Sequence, residues 1–212
     1  MTPLITDIHT HRVDATRALI AVSPRDFNPQ PGLYYSVGYH PWFDVDTLND
    51  DDFALLEQCA RHPQVLAIGE TGMDNLRGAP LDVQRRVFIR HLQLAGALGM
   101  PVITHCVRTA THILNARHTA GLDRVTLVIH GMRGNENVAS TLLDAGCYLS
   151  FGARFNPRAL AVTPLDRLLI ETDDAPLDIN QVADAVATAI NLSSSDLMTL
   201  TAATAASLLQ RQ

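Results

Sequence analysis

Short apolar stretches recur along the whole chain, and their spacing predicts the fold. Eight of them are nearly continuous in Val, Ile and Leu, as is typical of parallel strands that are covered on both faces. We expect strands at residues 4–8, 18–23, 33–38, 65–70, 102–106, 126–130, 147–151 and 168–172.

Segments with helical periodicity lie between most of these stretches. The clearest covers residues 81–98, where Phe88, Leu92 and Ala95 fall on one face and Gly99 supplies a stop. Further helices are predicted at residues 52–61, 108–117, 138–145, 179–190 and 196–209. Strands that alternate with helices indicate a parallel sheet, and about eight such units predict a single α/β domain over residues 1–212, folded as a TIM-like (β/α)8 barrel.

The first third of the chain is short for that fold. Only about seven residues separate the first two predicted strands, and residues 24–32 are rich in proline and lack a helical period. We therefore expect a shortened barrel with reduced early helices. The exposed wall would be covered by the loop, by the C-terminal helices or by a second copy in a homo-oligomer.

Ionisable residues collect at the predicted strand ends, which carry the active site in barrels of this type. His9 and His11 are two residues apart in an extended segment and point to the same side. The other strand ends carry His40, Glu70, His105, His130, Glu171 and Asp173. Four of these histidines, with one Glu and one Asp, make a typical ligand set of a two-metal hydrolase: His9, His11, His105, His130, Glu70 and Asp173.

Each of these side chains also has a purely structural interpretation. His105 and His130 could be buried histidines bonded to carbonyl groups, Glu70 could cap a turn, and Asp173 could pair with an arginine. Burying all of them together without a cation would cost of the order of several kcal/mol, which favours the metal site.

Lysine is absent, because all 16 residues in the Lys+Arg count are arginine. A phosphate-binding P-loop, a Schiff-base mechanism and a carboxylated lysine that bridges two metals are therefore excluded, so a bridging ligand must be Asp or Glu. Arginines follow several predicted strand ends, and the planar guanidinium group suits phosphate. We expect Arg77 and Arg108 to contact an anionic substrate. His62, His91, His112 and His118 are expected on the outer helices, away from the site.

The overall charge sets limits on partners. A net charge of −6 and a pI near 5.8 provide no basic field for gripping nucleic acid, so an anionic substrate must be held locally. Three cysteines without a CxxC spacing favour a reducing compartment. No signal sequence or apolar run of about 18 residues is evident, which predicts a cytoplasmic location without membrane contact.

The chain resembles the TatD family of metal-dependent hydrolases, which are amidohydrolase-type barrels. Matching motifs follow the family's order along nearly the whole sequence: Asp7-Ile-His9-Thr-His11, Gly38-Tyr-His40-Pro41, Ala67-Ile-Gly-Glu70-Thr-Gly-Met-Asp74, Gln84 to Phe88, Pro101-Val-Ile-Thr-His105-Cys106, Ile129-His130-Gly131, Ser150-Phe-Gly152 and Glu171-Thr-Asp173-Asp-Ala-Pro176. Two positions depart from the family pattern. Val107 separates Arg108 from the His-Cys pair, and Thr204-Ala205 replaces an Asn-Ala pair.

The resemblance implies a pair of divalent cations bridged by Glu70. One would be held by His9, His11, Glu70 and Asp173, and the other by Glu70, His105 and His130. These ligands suit Zn, Mn, Mg, Co or Ni.

The same resemblance implies phosphodiester hydrolysis by a metal-activated water, as in a deoxyribonuclease that acts on a 3′ end or a short oligonucleotide. Asp173 and Glu70 would be catalytic, Glu171 would orient a metal ligand, and His40 would support the site or contact substrate. An alternative keeps the cations but hydrolyses an amide, ester or lactone of a small carbonyl compound. A further alternative is a barrel that binds metal or a partner without catalysis.

Overall fold

Eight parallel strands form the centre of the protein, for which the computed structural model describes residues 4–43 and 45–210. The strands are hydrogen-bonded side by side in chain order. They are β1 (Asp7–Thr10), β2 (Ala18–Val22), β3 (Tyr34–Val37), β4 (Val65–Asp74), β5 (Val102–Val107), β6 (Leu127–Ile129), β7 (Tyr148–Phe151) and β8 (Leu168–Ile170). A parallel bridge between Thr10 and Asp173 joins the first strand to the segment after the last. The predicted α/β barrel is confirmed.

Helices cover the strands from the outside. They are α1 (Asp50–Ala60), α2 (Leu81–Leu98), α3 (Ala110–Thr119), α4 (Glu136–Asp144), α5 (Pro157–Ala161), α6 (Ile179–Ala189) and α7 (Ser194–Leu208). All six predicted helices are present, and α5 escaped prediction because it has only 5 residues. A capping box from Asn49 and Asp52 begins α1, and the left-handed Gly99 ends α2 as its position suggested.

The early part of the barrel lacks outer helices, as predicted. Between β1 and β2, and between β2 and β3, the described residues contain a single 3₁₀ turn, Pro24–Asp26, and no α-helix. A second copy that covers this side stays a prediction. Among the helices that the structure describes, none combines the length and the apolar composition that crossing a membrane requires.

Two strand boundaries differ from the prediction by three or more residues, and both differences matter for the site. β1 begins at Asp7 rather than at residue 4, so His9 lies within the strand. β4 continues past Glu70 to Asp74, because its last residues pair with β5. All 10 residues of this strand are buried. A polar and glycine-containing continuation carries no strand pattern, which is why the sequence did not reveal it. Glu70 therefore lies in the middle of a strand.

An apolar cluster fills the interior of the barrel on the N-terminal side of the ionisable residues. It includes Ile8, Leu19, Ala67, Ile103 and Val128, one from each of five strands. The ionisable residues follow these positions by one to three residues along β1, β4, β5 and β6. The polar site therefore lies toward the C-terminal ends of the strands, on top of a packed interior.

Candidate metal centre and its cavity

The Glu70 carboxylate is the centre of the site, and three histidines contact its Oε1 atom. This oxygen lies 2.7 Å from His130 Nε2, 2.8 Å from His105 Nδ1 and 3.0 Å from His40 Nε2. The residue is only 4% exposed. A buried carboxylate in this position requires positive charge close by.

The second oxygen of Glu70 faces a different pair of histidines. His9 Nε2 and His11 Nε2 each lie 3.3 Å from Oε2 and 3.6 Å from Asp173 Oδ1. His9 is fully buried, whereas His11 is exposed at the cavity. The two oxygens of one carboxylate therefore face two separate groups of nitrogen and oxygen ligands, as a bridging carboxylate would.

Several buried polar atoms of this centre lack a hydrogen bond within the described part of the chain. They are His9 Nδ1 and Nε2, Glu70 Oε2, His130 Nδ1 and Glu171 Oε2. Buried polar atoms are normally satisfied, so a cluster of unsatisfied ones at the mouth of a barrel fits the binding of an ion. Donor atoms within 4.8 Å of one another form four overlapping groups: His9, His11 and Asp173; His9, Glu70 and His130; His40, Glu70 and His105; and His130, Glu171 and Asp173. The donor set fits divalent cations of the borderline class.

The ionisation of these residues also favours a bound cation. Burial alone would raise the pKa of Glu70, but the charges of His130 and His9 and a hydrogen bond from His105 bring it well below its ordinary range. Burial and the charge of His130 oppose protonation of His9, yet Glu70 and Asp173 raise its pKa to about 9. Without metal, protons on imidazoles supply the positive charge that this carboxylate needs. A cation that binds here displaces those protons.

Hydrogen bonds to the far nitrogens define which ring atoms can bind metal. The Trp42 backbone N–H donates to His40 Nδ1 at 3.1 Å, so the proton of the neutral His40 ring lies on Nε2. His40 therefore donates a hydrogen bond toward Glu70, and burial lowers its pKa and favours the neutral ring. His105 differs, because its Nε2 lies 3.1 Å from Asp74 Oδ2 and donates to that carboxylate. The lone pair of His105 Nδ1 is left for a cation.

Asp74 belongs to one of the sequence motifs, but nothing in the sequence indicates that it holds His105. Besides His105, it accepts a hydrogen bond from Trp42 Nε1 at 2.7 Å and one from the Leu76 backbone N–H at 2.7 Å. The Gln84 side chain accepts from the Asp74 backbone N–H at 2.7 Å and donates to nearby carbonyls. The end of β4 is thus held firmly around His105, one of the candidate metal ligands.

His91 lies on the outer helix α2 and away from the metal centre, as expected, but its ring is buried rather than solvated. It is 0% exposed, its Nδ1 donates to the Val87 carbonyl at 2.8 Å, and its Nε2 accepts from the Tyr39 N–H at 3.0 Å. Burial lowers its pKa to about 4. His91 faces inward because it shares the apolar face of α2 with Leu92, and it fixes the backbone immediately before His40. His62, His112 and His118 fall outside the metal centre as expected.

Glu171 lies behind His130, two residues before Asp173. Its Oε1 atom accepts from the Gly131 N–H at 2.6 Å and lies 3.5 Å from His130 Nδ1. The carboxylate is fully buried. It is placed to keep the proton of His130 on Nδ1 and to free Nε2 for a cation.

Asp7 ties the first strand to the segment after the last. It accepts from the Thr172 N–H at 3.0 Å and from the Thr172 hydroxyl at 2.6 Å. Burial raises the pKa of Asp7 to about 6 despite these hydrogen bonds. Because His9 and Asp173 come from these two segments, Asp7 fixes their separation.

A cavity of about 490 Å³ extends from the metal centre. Part of its lining consists of Glu70, His105, His130 and Asp173. The rest comes from the ends of β2 and β3 and the segments that follow them, and includes Val22, Arg25, Tyr39, Trp42, Phe43 and Leu48. This is the side of the barrel on which the outer helices are missing.

The two arginines that the sequence favoured do not line this cavity. The Arg77 guanidinium lies 4.1 Å from the centroid of the Trp42 ring, which does line it. Arg108 is exposed and has a left-handed backbone, with φ of 53°. Contact of either side chain with substrate stays a prediction.

Two other arginines lie closer. Arg25 lines the cavity and forms an ion pair of 2.7 Å with Asp52. Arg133 lies 3.9 Å from Asp173 Oδ2. No sequence pattern distinguishes Arg25, because it precedes β3 in a segment without a recognisable period.

Comparisons with known proteins agree with this geometry. Over 170 residues the chain is 31% identical to the uncharacterized metal-dependent hydrolase YabD of Bacillus subtilis, covering 76% of this chain and 64% of that protein. It is 37% identical over 153 residues to the 3′-5′ ssDNA/RNA exonuclease TatD of Cronobacter turicensis, covering 67% of this chain and 57% of that one. The chain thus spans less than two thirds of these relatives.

The fold also matches a solved structure. The crystal structure of the TatD homolog YJJV from Escherichia coli K12 superposes with a TM-score of 0.84, at 21% identity and 99% coverage of both chains. The family model for TatD related DNases matches residues 9–210. The resemblance found in the sequence is confirmed, and the chain belongs to the TatD related DNase family.

Proposed function

We propose that this protein is a hydrolase that cleaves phosphodiester bonds with two divalent cations, and that its substrate is the end of a single-stranded oligonucleotide. The observation that carries the proposal is the Glu70 carboxylate, whose two oxygens face two separate sets of ligands.

The residues are assigned as follows. His9, His11 and Asp173 would hold one cation together with Glu70, and His105 and His130 would hold the other, also together with Glu70. Bound there, two cations would lower the pKa of a shared water and neutralise charge on the phosphoryl oxygens. Zn, Mn, Mg, Co and Ni all suit this ligand set.

Asp173 is the proposed general base. Its carboxylate lies 21% exposed at the cavity, and although burial opposes ionisation, the nearby His9 imidazole lowers its pKa. It is therefore ionised at neutral pH and able to accept a proton and pass it to the leaving group. His40 Nε2 carries a proton toward Glu70 Oε1, 3.0 Å away, and would support this carboxylate beside the substrate. Glu171 and Asp74 keep His130 and His105 in the required orientation.

A single strand suits this cavity better than a duplex. A volume of about 490 Å³ holds a group the size of one nucleotide, and the net charge of −6 opposes the many phosphate contacts that duplex binding needs. The Cronobacter relative named as an exonuclease for single-stranded DNA and RNA supports the same substrate class.

The experiment strips metal from the protein, reloads it with Zn, Mn or Mg, and offers a labelled single-stranded oligonucleotide, a generic phosphodiester, an ester and a lactone. We expect cleavage of the phosphodiesters alone, and loss of turnover in Asp173→Asn while most metal stays bound. Cleavage of the ester or lactone alone would contradict the proposal and favour a carbonyl substrate. Full activity of Asp173→Asn would contradict its role as the base.

A further inference from the structure

Next to the metal centre the cavity has an aromatic wall that no step of hydrolysis uses. Tyr39, Trp42 and Phe43 line it together with Val22 and Leu48. Aromatic residues make up 5% of the chain, so three in one short segment stand out. The Phe43 side chain is 62% exposed, whereas large apolar side chains are usually buried.

The Trp42 ring is fixed in place. Its Nε1 donates to Asp74, and the Arg77 guanidinium lies over its ring at 4.1 Å. Since Asp74 also holds His105, the aromatic wall and one candidate metal ligand share a single anchor. The Trp42 ring is therefore held in position relative to this ligand.

Phe43 differs from Trp42 because its ring remains accessible. Its ring centroid lies 5.5 Å from that of His40, and His40 Nε2 in turn lies 3.0 Å from Glu70 Oε1. One imidazole thus separates the Phe43 ring from the carboxylate at the centre of the site. In a nucleotide, likewise, one sugar ring separates the phosphate from the base.

The charges of this part of the cavity disfavour a second phosphate. Among the described residues that line the cavity, Arg25 is the only arginine, and it is paired with Asp52 at 2.7 Å. Asp26 and Asp174 add carboxylates to the lining. An uncharged planar group fits this wall, and a further phosphate of the strand must lie outside.

We propose that Phe43, backed by Trp42 and Tyr39, forms a stacking subsite for the nucleobase of the nucleotide whose phosphate lies at the metal centre. The inference rests on the proposed function, and it adds how the substrate is selected: through one base at a time, without preference for its sequence. Every base has a π face, so stacking tolerates all four.

Trp42 provides a direct measurement, because it is the only tryptophan of the chain. Its fluorescence is followed while zinc-loaded protein is titrated with dAMP, with dTMP and with deoxyribose 5-phosphate, which lacks the base. We expect both nucleotides to bind about 5- to 150-fold more tightly than the sugar phosphate, as stacking of one base provides. In Phe43→Ala this difference should disappear, and in Phe43→Tyr it should return.

Leu165→Ala serves as the matched control, since Leu165 is an exposed apolar side chain outside the cavity, and its loss should change nothing. Equal binding of nucleotides and sugar phosphate in the unmodified protein would overturn the subsite, as would absence of binding or a difference that persists in Phe43→Ala. Nucleotide binding with the expected difference, but without cleavage of any phosphodiester, would support the subsite while contradicting the proposed function.

Discussion

Replacing Asp74 with asparagine tests how far this carboxylate supports the proposed metal ligand His105. Both of its oxygens accept hydrogen bonds: Oδ1 from the Leu76 N–H, and Oδ2 from Trp42 Nε1 and His105 Nε2. An amide offers one acceptor oxygen and one NH₂ group. In either orientation of the new amide, one set of donors would therefore face an N–H.

The magnitude follows from this loss. If the NH₂ group faces His105, the ring loses its acceptor and can rotate or change its tautomer. Removing such a partner of a ligating histidine typically lowers metal affinity by about 10- to 100-fold, which is about 1.4–2.7 kcal/mol. If the NH₂ group faces Leu76 instead, an unsatisfied buried N–H costs about 1–3 kcal/mol of folding stability. Repulsion between two donors at His105 is the larger effect for function, because it acts on the site itself.

Calorimetric titration of the chelator-stripped protein with Zn measures this effect. We expect two binding steps in the unmodified protein and a weaker affinity in one of them in Asp74→Asn, because only the cation at His105 is affected. Asp82→Asn is the matched control, since Asp82 is an exposed residue of α2 that pairs with Arg86. Unchanged affinities together with an unchanged free energy of unfolding in Asp74→Asn, or an equal loss of affinity in both steps, would refute the reasoning.

Three further predictions concern stability and orientation. Burial lowers the pKa of His91 from 6.5 to about 4. Between about pH 6.5 and pH 4, His91 is therefore protonated in the unfolded chain but neutral in the folded one. The free energy of unfolding should therefore fall by about 3 kcal/mol as the pH drops through this window. Urea titrations should find a smaller fall in His91→Gln. An equal fall in both proteins would contradict the low pKa of His91. Gly72→Ala should abolish folding, as judged by circular dichroism, because the new Cβ would overlap the His105 carbonyl oxygen. The control Gly121→Ala should fold, because its Cβ would meet no atom within 4 Å. A folded Gly72→Ala would disprove the close approach of Gly72 to His105. Glu171→Gln should keep the fold but lower kcat by about 10- to 100-fold, and an unchanged kcat would exclude its role in orienting His130.

The fold and the candidate metal ligands were accessible from the sequence for definite physical reasons. Buried parallel strands need continuous apolar residues, so their number and order could be read directly. Polar residues from separate strands meet at one end of a barrel, so His9, Glu70, His105, His130 and Asp173 could be grouped before their distances were known. The weakness of the early helices was equally visible in the short, proline-rich connections.

The supporting residues could not be predicted in the same way. Asp74 lies in a continuation of β4 that has no strand pattern, and its partner Trp42 lies 32 residues earlier in the chain. His91 lies on a helix whose pattern does not distinguish a buried imidazole from a solvated one. Arg25 was missed, and Arg77 and Arg108 were favoured, because side chains in loops follow tertiary contacts that local spacing does not encode.

The number of cations bound per chain is the most direct test of the central claim that Glu70 is shared by two metal ions. Equilibrium dialysis against Zn, followed by elemental analysis, would compare the unmodified protein with His11→Ala and Glu70→Ala, each verified as folded by circular dichroism. We expect two ions in the unmodified protein, one in His11→Ala, and loss of both in Glu70→Ala. Retention of two ions by Glu70→Ala would contradict the claim.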